Sequence, residues 1–435
     1  MDIKFSYFCQ KSPWKPQEEI GIIPVTGQDG GWGRQGPASS SLVSGVLSPY
    51  GHRMAIRCFR TASSGPEDRR FTYRGGPDPM APVCFQRKRG DIMEKKRDFR
   101  CLVSGAVFLA AALALLAAAR TIPGFADWYT VHVYPLWVNL LGRLFGILPF
   151  SAAEIGIYLL LLAAVVYGVR RRSLSGIFSR AVLLAGALLL SYSLNCGINY
   201  YCVPFSAYLP YETEGHTEEE LERLCRYLAR QANAYADCAG QSMRGKEYGE
   251  AGVAAMTALG EEYPRPKYLT VPWILSVQQL AGIYSPFTVE ANYNNAMVSY
   301  NIPHTICHEL SHLKGFMRED EANFIGFLAC LKSDERQFLY SAYVMGWVYA
   351  GNALAAADPE SYVEIRSLLK EEILADLEAN NQFWDQYEGK VADAAEAVND
   401  TYLKANSQEH GVESYGMVVD LMLGWFEETV PCEGA

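Results

Sequence analysis

Charge, paired cysteines and histidine are all scarce in this sequence. Only 20% of its 435 residues are charged while 50% are hydrophobic, a balance that points to membrane segments. With 38 Lys+Arg against 48 Asp+Glu the formal net charge is -10, which argues against nucleic acid as a partner. The 11 cysteines include no CxxC or CxxxC pair, so a Cys-based zinc finger or thioredoxin-type motif is excluded. Six of them (Cys202, Cys225, Cys238, Cys307, Cys330 and Cys432) lie in residues 199–435, after the last apolar run. They are free to pair if that region lies outside the cell, and spacing alone does not choose the partners. There is no internal repeat, and no feature of the sequence specifies an oligomeric state. The chain is too long for one ordinary domain.

Residues 1–92 lack any sustained apolar period. They carry 13 Lys+Arg against 8 Asp+Glu, whereas the remainder carries 25 against 40. Stretches such as "GQDGGWGRQGPASSSLVSG" are rich in Gly, Pro and Ser and bury too little apolar surface to offset ordering entropy. No apolar h-region follows the first basic residues, so this is not a signal peptide. By contrast "MEKKRDFRCLVSGAVFLAAALALLAAAR" from Met93 reads as a membrane-protein start. The expectation is that Met93 is the initiator and that residues 1–92 are a disordered or mis-assigned extension.

Three apolar runs follow, at 101–119, 151–169 and 178–195. Each is long enough to cross a hydrocarbon core of ~30 Å at ~1.5 Å per residue. They are apolar all round rather than striped, which favours a lipid bilayer over a protein core. Lys95, Lys96, Arg97 and Arg100 precede the first run, and Arg170, Arg171 and Arg172 separate the second from the third. The positive-inside rule then places those segments in the cytoplasm and the region from 199 onward outside it. Between the first two runs, "ADWYTVHVYPLWVNLLGRLFGILPF" reads as a helix lying in the membrane interface. The runs contain no charge pair, which argues against a transporter.

Residues 199–435 read as an α-dominated domain with a small sheet. Thr217 and Glu220 form a capping-box pattern ahead of a helix running to about Ala239. "YLTVPWIL" (268–275) and "GIYSPFTVEANYN" (282–294) are the strand candidates, and helices are expected near 303–314, 318–331, 334–356, 359–404 and 414–428. Within the first of these helices, His308-Glu309-Leu310-Ser311-His312 is HExxH. Residues four apart share a helix face, so both imidazoles reach one metal ion, and Glu309 lies where it takes a proton from an activated water. That is the spacing of a zinc (Zn2+) hydrolase. Gly315 ends the helix, and three acids then compete for the third ligand position: Glu319, Asp320 and Glu321. The face of Glu319 carries the small residues Ala322, Gly326 and Ala329, which permit close approach to the first helix, whereas that of Glu321 carries Phe324, Ile325 and Leu328. Glu319 is therefore expected to be the ligand, with Glu321 as the fallback, and Asn323 is placed to orient ligands from behind. His304 lies ~12 Å along the axis from His312 and cannot join both in one tetrahedral site, which leaves it a plain helix-start histidine, with an outer or substrate-side role as the alternative. In a metzincin pattern the third ligand would fall on Arg318, which cannot bind zinc.

"GIYSPFTVEANYN", "HTICHELSHLKGFMREDEANFIGFLAC" and "YLKANSQEHGVESYGMVVDL" together resemble the DUF3810 family of bacterial membrane proteins, over roughly residues 100–426. The resemblance implies a gluzincin-like, zincin-fold metallopeptidase in the bacterial cytoplasmic membrane. The ExxAN run Glu319–Asn323 is also similar to the glutamate helices of other HExxH peptidase families, in which the first glutamate is the ligand. The expected function is thus a membrane-anchored zinc hydrolase acting on a peptide or protein substrate. A membrane-tethered interaction or assembly protein with a structural or vestigial metal site is the alternative. Phe287–Asn294, with Glu290 and Asn292, is a candidate edge strand for an extended substrate. His410 and Tyr415, in a polar aromatic loop, are candidates for stabilising developing charge.

Overall fold

The computed structural model describes residues 81–170, 174–211, 213, 215–259, 263–406 and 417–430. The expectations for Arg171, Arg172, His410, Tyr415, Cys432 and residues 1–80 lie outside them. The described chain is mainly helical with one small sheet. Its helices are α1 (Ala81–Thr121), α2 (Phe125–His132), α3 (Ala152–Arg170), α4 (Leu174–Tyr192), α5 (Glu218–Ala234) and α6 (Gly245–Thr257). Beyond the sheet come α7 (Asn301–Leu313), α8 (Glu319–Leu331), α9 (Arg336–Ala357), α10 (Pro359–Arg366), α11 (Glu371–Asp385), α12 (Lys390–Ala405) and α13 (Met417–Thr429).

Three helical stretches are long and apolar enough to cross a membrane: Met93–Thr121, Ala152–Arg170 and Ser175–Tyr201. The third extends past α4 through a π-type turn, Ser193–Gly197, and a 3₁₀ turn, Asn199–Tyr201. The first and third approach closely where glycine removes the side chain. A Cβ on Gly186 would lie 2.5 Å from the Gly105 carbonyl oxygen, and one on Gly105 would lie 2.7 Å from the Leu183 backbone. Such small-residue contacts let helices pack where no hydrophobic effect drives them together. A charge pair does exist here: Arg180 meets Asp98 at 2.8 Å, with the guanidinium over the Tyr167 ring. Asp98 lies three residues ahead of the apolar run that begins at Cys101, so the run itself does not mark the pair. The pair sits near the Met93 and Ser175 ends of the two spans, so it ties spans together and opens no path through them.

The segment 125–150 is not one continuous helix. After α2 and an interruption at Val133 it continues as helix over 134–146, widened by a π-type turn at Val138–Gly142. Leu136, Leu140, Leu144 and Ile147 form an exposed apolar stripe, while Tyr129, Tyr134 and Val138 are buried on the other side. Both faces being apolar, the segment suits a position between lipid and protein.

The sheet has strands β1 (Lys267–Tyr268), β2 (Gly282–Ser285) and β3 (Glu290–Tyr293) in the order β1-β3-β2, with β1 parallel and β2 antiparallel to β3. Two expectations are corrected. Of the 268–275 candidate only Tyr268 is strand, joined in β1 by the preceding Lys267; past Pro272 the chain turns into a short helix at Trp273–Ser276. Glu290–Tyr293 is the central strand, buried throughout, and is not an edge for a substrate. Residue pattern could not distinguish these positions, because strand order depends on β1, whose two paired residues carry no signal of their own.

The sheet and the second span lock onto each other through two carboxylates. Glu290 accepts from the N–H groups of Ala152 (3.2 Å) and Ala153 (2.8 Å), at the positive end of α3. Glu154, in the first turn of α3, accepts in return from Thr270 N (2.7 Å) and Val271 N (2.9 Å). Glu290 also pairs with buried Lys267, whose Nζ donates to the Phe145 carbonyl at 2.6 Å. Glu290, a candidate substrate contact by sequence, is therefore committed to holding α3. Glu290→Ala is expected to destabilise the protein by about 3–5 kcal/mol, because Lys267 would remain buried without its counter-charge. Thermal unfolding of the detergent-solubilised protein measures this.

Behind the sheet, the Thr217 capping box forms as the spacing predicts: Glu220 N donates to Thr217 Oγ1 and Thr217 N to Glu220 Oε2. The amphipathic helix it starts, α5, packs on α9. Helix α8 is buried among its neighbours, with Phe324, Phe327 and Ala329 inaccessible. The core thus encloses α7 and α8, and these two helices carry the polar cluster.

Candidate metal centre

Helix α7 is buried over nearly its whole length, including His304, Glu309 and His312. It ends in a Schellman turn: Phe316 N donates to Ser311 O (3.2 Å) and Gly315 N to His312 O (2.9 Å), with Gly315 at φ 104°. The turn brings the Phe316 carbonyl back over the helix end, where it accepts a hydrogen bond from His312 Nδ1 at 2.7 Å. A carbonyl only accepts, so this contact puts the proton on Nδ1 and leaves the Nε2 lone pair free. Gly326 lets α8 come close, because a Cβ there would meet the His304 carbonyl oxygen at 3.2 Å and His308 N at 3.3 Å.

Across that contact Glu319 reaches both imidazoles. Its Oε2 lies 3.2 Å from His308 Nε2 and its Oε1 lies 3.6 Å from His312 Nε2. The three candidate donor atoms fall within 4.8 Å of one another, the one such group of His, Cys and acids among the described residues. His308 is oriented like His312: its Nδ1 lies 2.8 Å from Asn323 Oδ1, which also accepts from the Tyr349 hydroxyl at 3.1 Å. Both Nε2 atoms therefore face Glu319, each held by a partner on the far side of its ring. This is how metal-binding imidazoles are fixed. His304 points elsewhere. Its Nε2 donates to the Asn323 carbonyl at 3.0 Å, and burial pushes its pKa down to about 3. It supports the Asn323 backbone as a neutral ring. Glu321 turns away as well, its Oε1 accepting from Phe205 N at 2.7 Å.

Glu309 lies against β2. A Cβ on Gly282 would sit 2.5 Å from Glu309 Oε1, so only glycine fits there. The Tyr284 backbone N–H donates to the carboxylate, whereas Oε2 is buried without a hydrogen-bond partner. Burial raises the Glu309 pKa to about 8, helped by the charge on Glu319 and opposed by His308. Burial also depresses His308, but its hydrogen bond and charge pairing with Glu319 prevail and carry it up to about 8. Burial lowers His312 to about 4. Glu319 is held below the usual carboxylate range because attraction to the two histidines outweighs its burial. Asn292, the other candidate on β3, donates to the Glu290 carbonyl at 3.2 Å and approaches the Ile283 carbonyl at 3.4 Å, within the sheet.

Tyr349, Tyr284 and Gly282 contribute to this geometry and were not picked out by sequence. Tyr134 joins them: its hydroxyl donates to the Leu313 carbonyl at 2.9 Å, at the end of the HExxH helix. No local pattern marks any of them, since their partners lie far away in the chain.

A family model described as "Protein of unknown function (DUF3810)" matches residues 129–423. The chain belongs to the DUF3810 family. The match takes in the segment 129–150, the second and third apolar helices, the sheet and every residue of the polar cluster. No curated protein and no solved structure matches this DUF3810 chain.

Proposed function

We propose that this DUF3810 protein is a membrane-anchored, zinc-dependent hydrolase, and specifically a peptidase. The observation that carries the reading is one arrangement: two imidazoles with their Nε2 atoms turned to a shared carboxylate, beside a buried glutamate with a free oxygen. Two histidines and one carboxylate are a common catalytic zinc set, which leaves the fourth tetrahedral position open. His308, His312 and Glu319 would hold the ion, while Asn323 and the Phe316 carbonyl keep the rings in register. When bound, the ion supplies Lewis acidity, polarising a carbonyl oxygen and acidifying water. Glu309, whose Oε2 is buried without a hydrogen-bond partner, would take the proton and hand it to the leaving amine. An extended peptide adding beside the outer strand β2 would pass directly over Glu309 at Gly282. The basic residues flanking the spans support an extracytoplasmic site in the bacterial cytoplasmic membrane.

The test is metal analysis of the purified full chain, paired with Glu309→Gln. Zinc retained by both, with peptide hydrolysis only in the wild type, supports the reading. A wild type without bound metal overturns it. Zinc retained with no Glu309-dependent hydrolysis points instead to a structural site in a tethered interaction protein.

Zinc affinity carries a pH signature. In the metal-free protein His308 is protonated below about 8, and it must be neutral to donate its lone pair. Apparent affinity is therefore expected to rise about tenfold per pH unit up to that value from His308 alone, more steeply where binding also expels the Glu309 proton, and to flatten above it. His312 and Glu319, both shifted downward, add no slope above about pH 5. Calorimetric titration in buffers of different ionisation enthalpy counts the released protons.

A further inference from the structure

The general base is separated from a candidate membrane span by a single residue. Tyr284 donates its backbone N–H to Glu309 and its hydroxyl to the carbonyl of Asn195, at 3.0 Å. Asn195 belongs to the span Ser175–Tyr201. Its side-chain Nδ2 donates to the Pro286 carbonyl at 2.8 Å, and Ser191 of the same span reaches that carbonyl at 3.4 Å. The β2 strand and the turn after it are therefore pinned to the third span. The neighbouring strand β3 is pinned to the start of the second span through Glu290.

The side chains around this strand are apolar and exposed. Ile283 on β2 is 45% exposed and Phe287 in the following turn 47%. Val271, whose N–H is held by Glu154 of the second span, is 40% exposed, and Trp273 is 60%. Aromatic and aliphatic residues clustered where spans leave a bilayer are those that sit at headgroup depth. The strand beside Glu309 is also an end strand, paired on one side with β3 among the described residues.

Resting on the hydrolase reading above, we infer that the substrate is the juxtamembrane segment of another membrane-anchored polypeptide. A chain laid along β2 runs within one tyrosine's length of a transmembrane helix, in contact with Ile283 and Phe287. A segment tethered by its own anchor is held at that depth and gains the effective concentration of a surface-confined reactant. A freely soluble protein has to bring an extended stretch down to this apolar strand without such a tether.

The experiment is N-terminal peptide mapping of native membranes and their associated soluble fraction, comparing cells that carry the wild-type full chain with cells that carry Glu309→Gln. The expected result is a set of new N-termini, lost in the variant, lying within about 10 residues of hydrophobic anchors, a reach of at most ~35 Å of extended chain. Glu309-dependent sites spread through soluble proteins, or far from any anchor, overturn the substrate class and leave the hydrolase reading standing. A complete absence of Glu309-dependent sites, with zinc still bound, overturns the hydrolase reading and this inference with it.

Discussion

Glu319→Ala is expected to lower zinc affinity by more than about 100-fold, beyond the 10–100-fold typical of losing a group behind a ligand. Among the described residues Glu319 carries the one carboxylate that faces both Nε2 atoms, at 3.2 and 3.6 Å. The control is Glu321→Ala, two residues on. Its carboxylate accepts from Phe205 N, and removing it is expected to leave zinc affinity unchanged while altering stability through the loss of that buried hydrogen bond. Competition against a chromophoric chelator separates the two variants. Equal zinc binding by wild type and Glu319→Ala would remove Glu319 from the site.

The second large effect is Glu309→Gln, for which zinc content holds and kcat falls by about 10²–10⁴, the usual contribution of a positioned acid–base group. It carries a stability signature as well. Burial raises the folded-state pKa of Glu309 to about 8, above its unfolded value of about 4.3. Between those values the folded metal-free protein keeps a proton that the unfolded chain releases, so Glu309 costs stability progressively as pH rises. Glutamine removes that cost. The metal-free variant is therefore expected to gain on the wild type as pH goes from about 4 to about 8, and denaturant titrations across that range measure the gain. A parallel pH dependence of the two would show that Glu309 ionises normally.

The polar cluster was legible in sequence where helical spacing governs it. The i, i+4 relation of His308 and His312 puts both on one face. The small residues behind Glu319 mark the face on which Gly326 touches His304 and His308. His304 was too far along the axis to join, and its ring is occupied by the Asn323 carbonyl. What sequence could not supply was tertiary in origin. Tyr349 and Tyr284 are two of 27 tyrosines, and only packing sets them beside Asn323 and Glu309. The apolar alternation of 282–294 correctly suggested strands, but it could not say that Glu290–Tyr293 is central. Glu290 looked like a substrate contact because an acid in a strand near HExxH suggests chemistry, whereas its partners are the first amides of a membrane helix. The 125–150 segment showed its aromatic, helical character but not its interruption at Val133, next to Tyr134, whose hydroxyl reaches the α7 terminus.

The exchange of carboxylates between Glu290 and Glu154 bears on how such a protein can be rebuilt. A leash can be shortened, severed or swapped for a lipid tail without disturbing what hangs from it. Here the second span closes hydrogen bonds of the strand layer, and the strand layer neutralises the start of the span. A chimera that grafts this sheet onto a foreign anchor would inherit two bare amides, at Thr270 and Val271, and a Glu290 carboxylate stripped of its two helix amides and left with Lys267 alone. Transplantation would then have to carry Ala152–Tyr158 along with the sheet, which makes that first stretch of membrane helix part of the working half of the molecule.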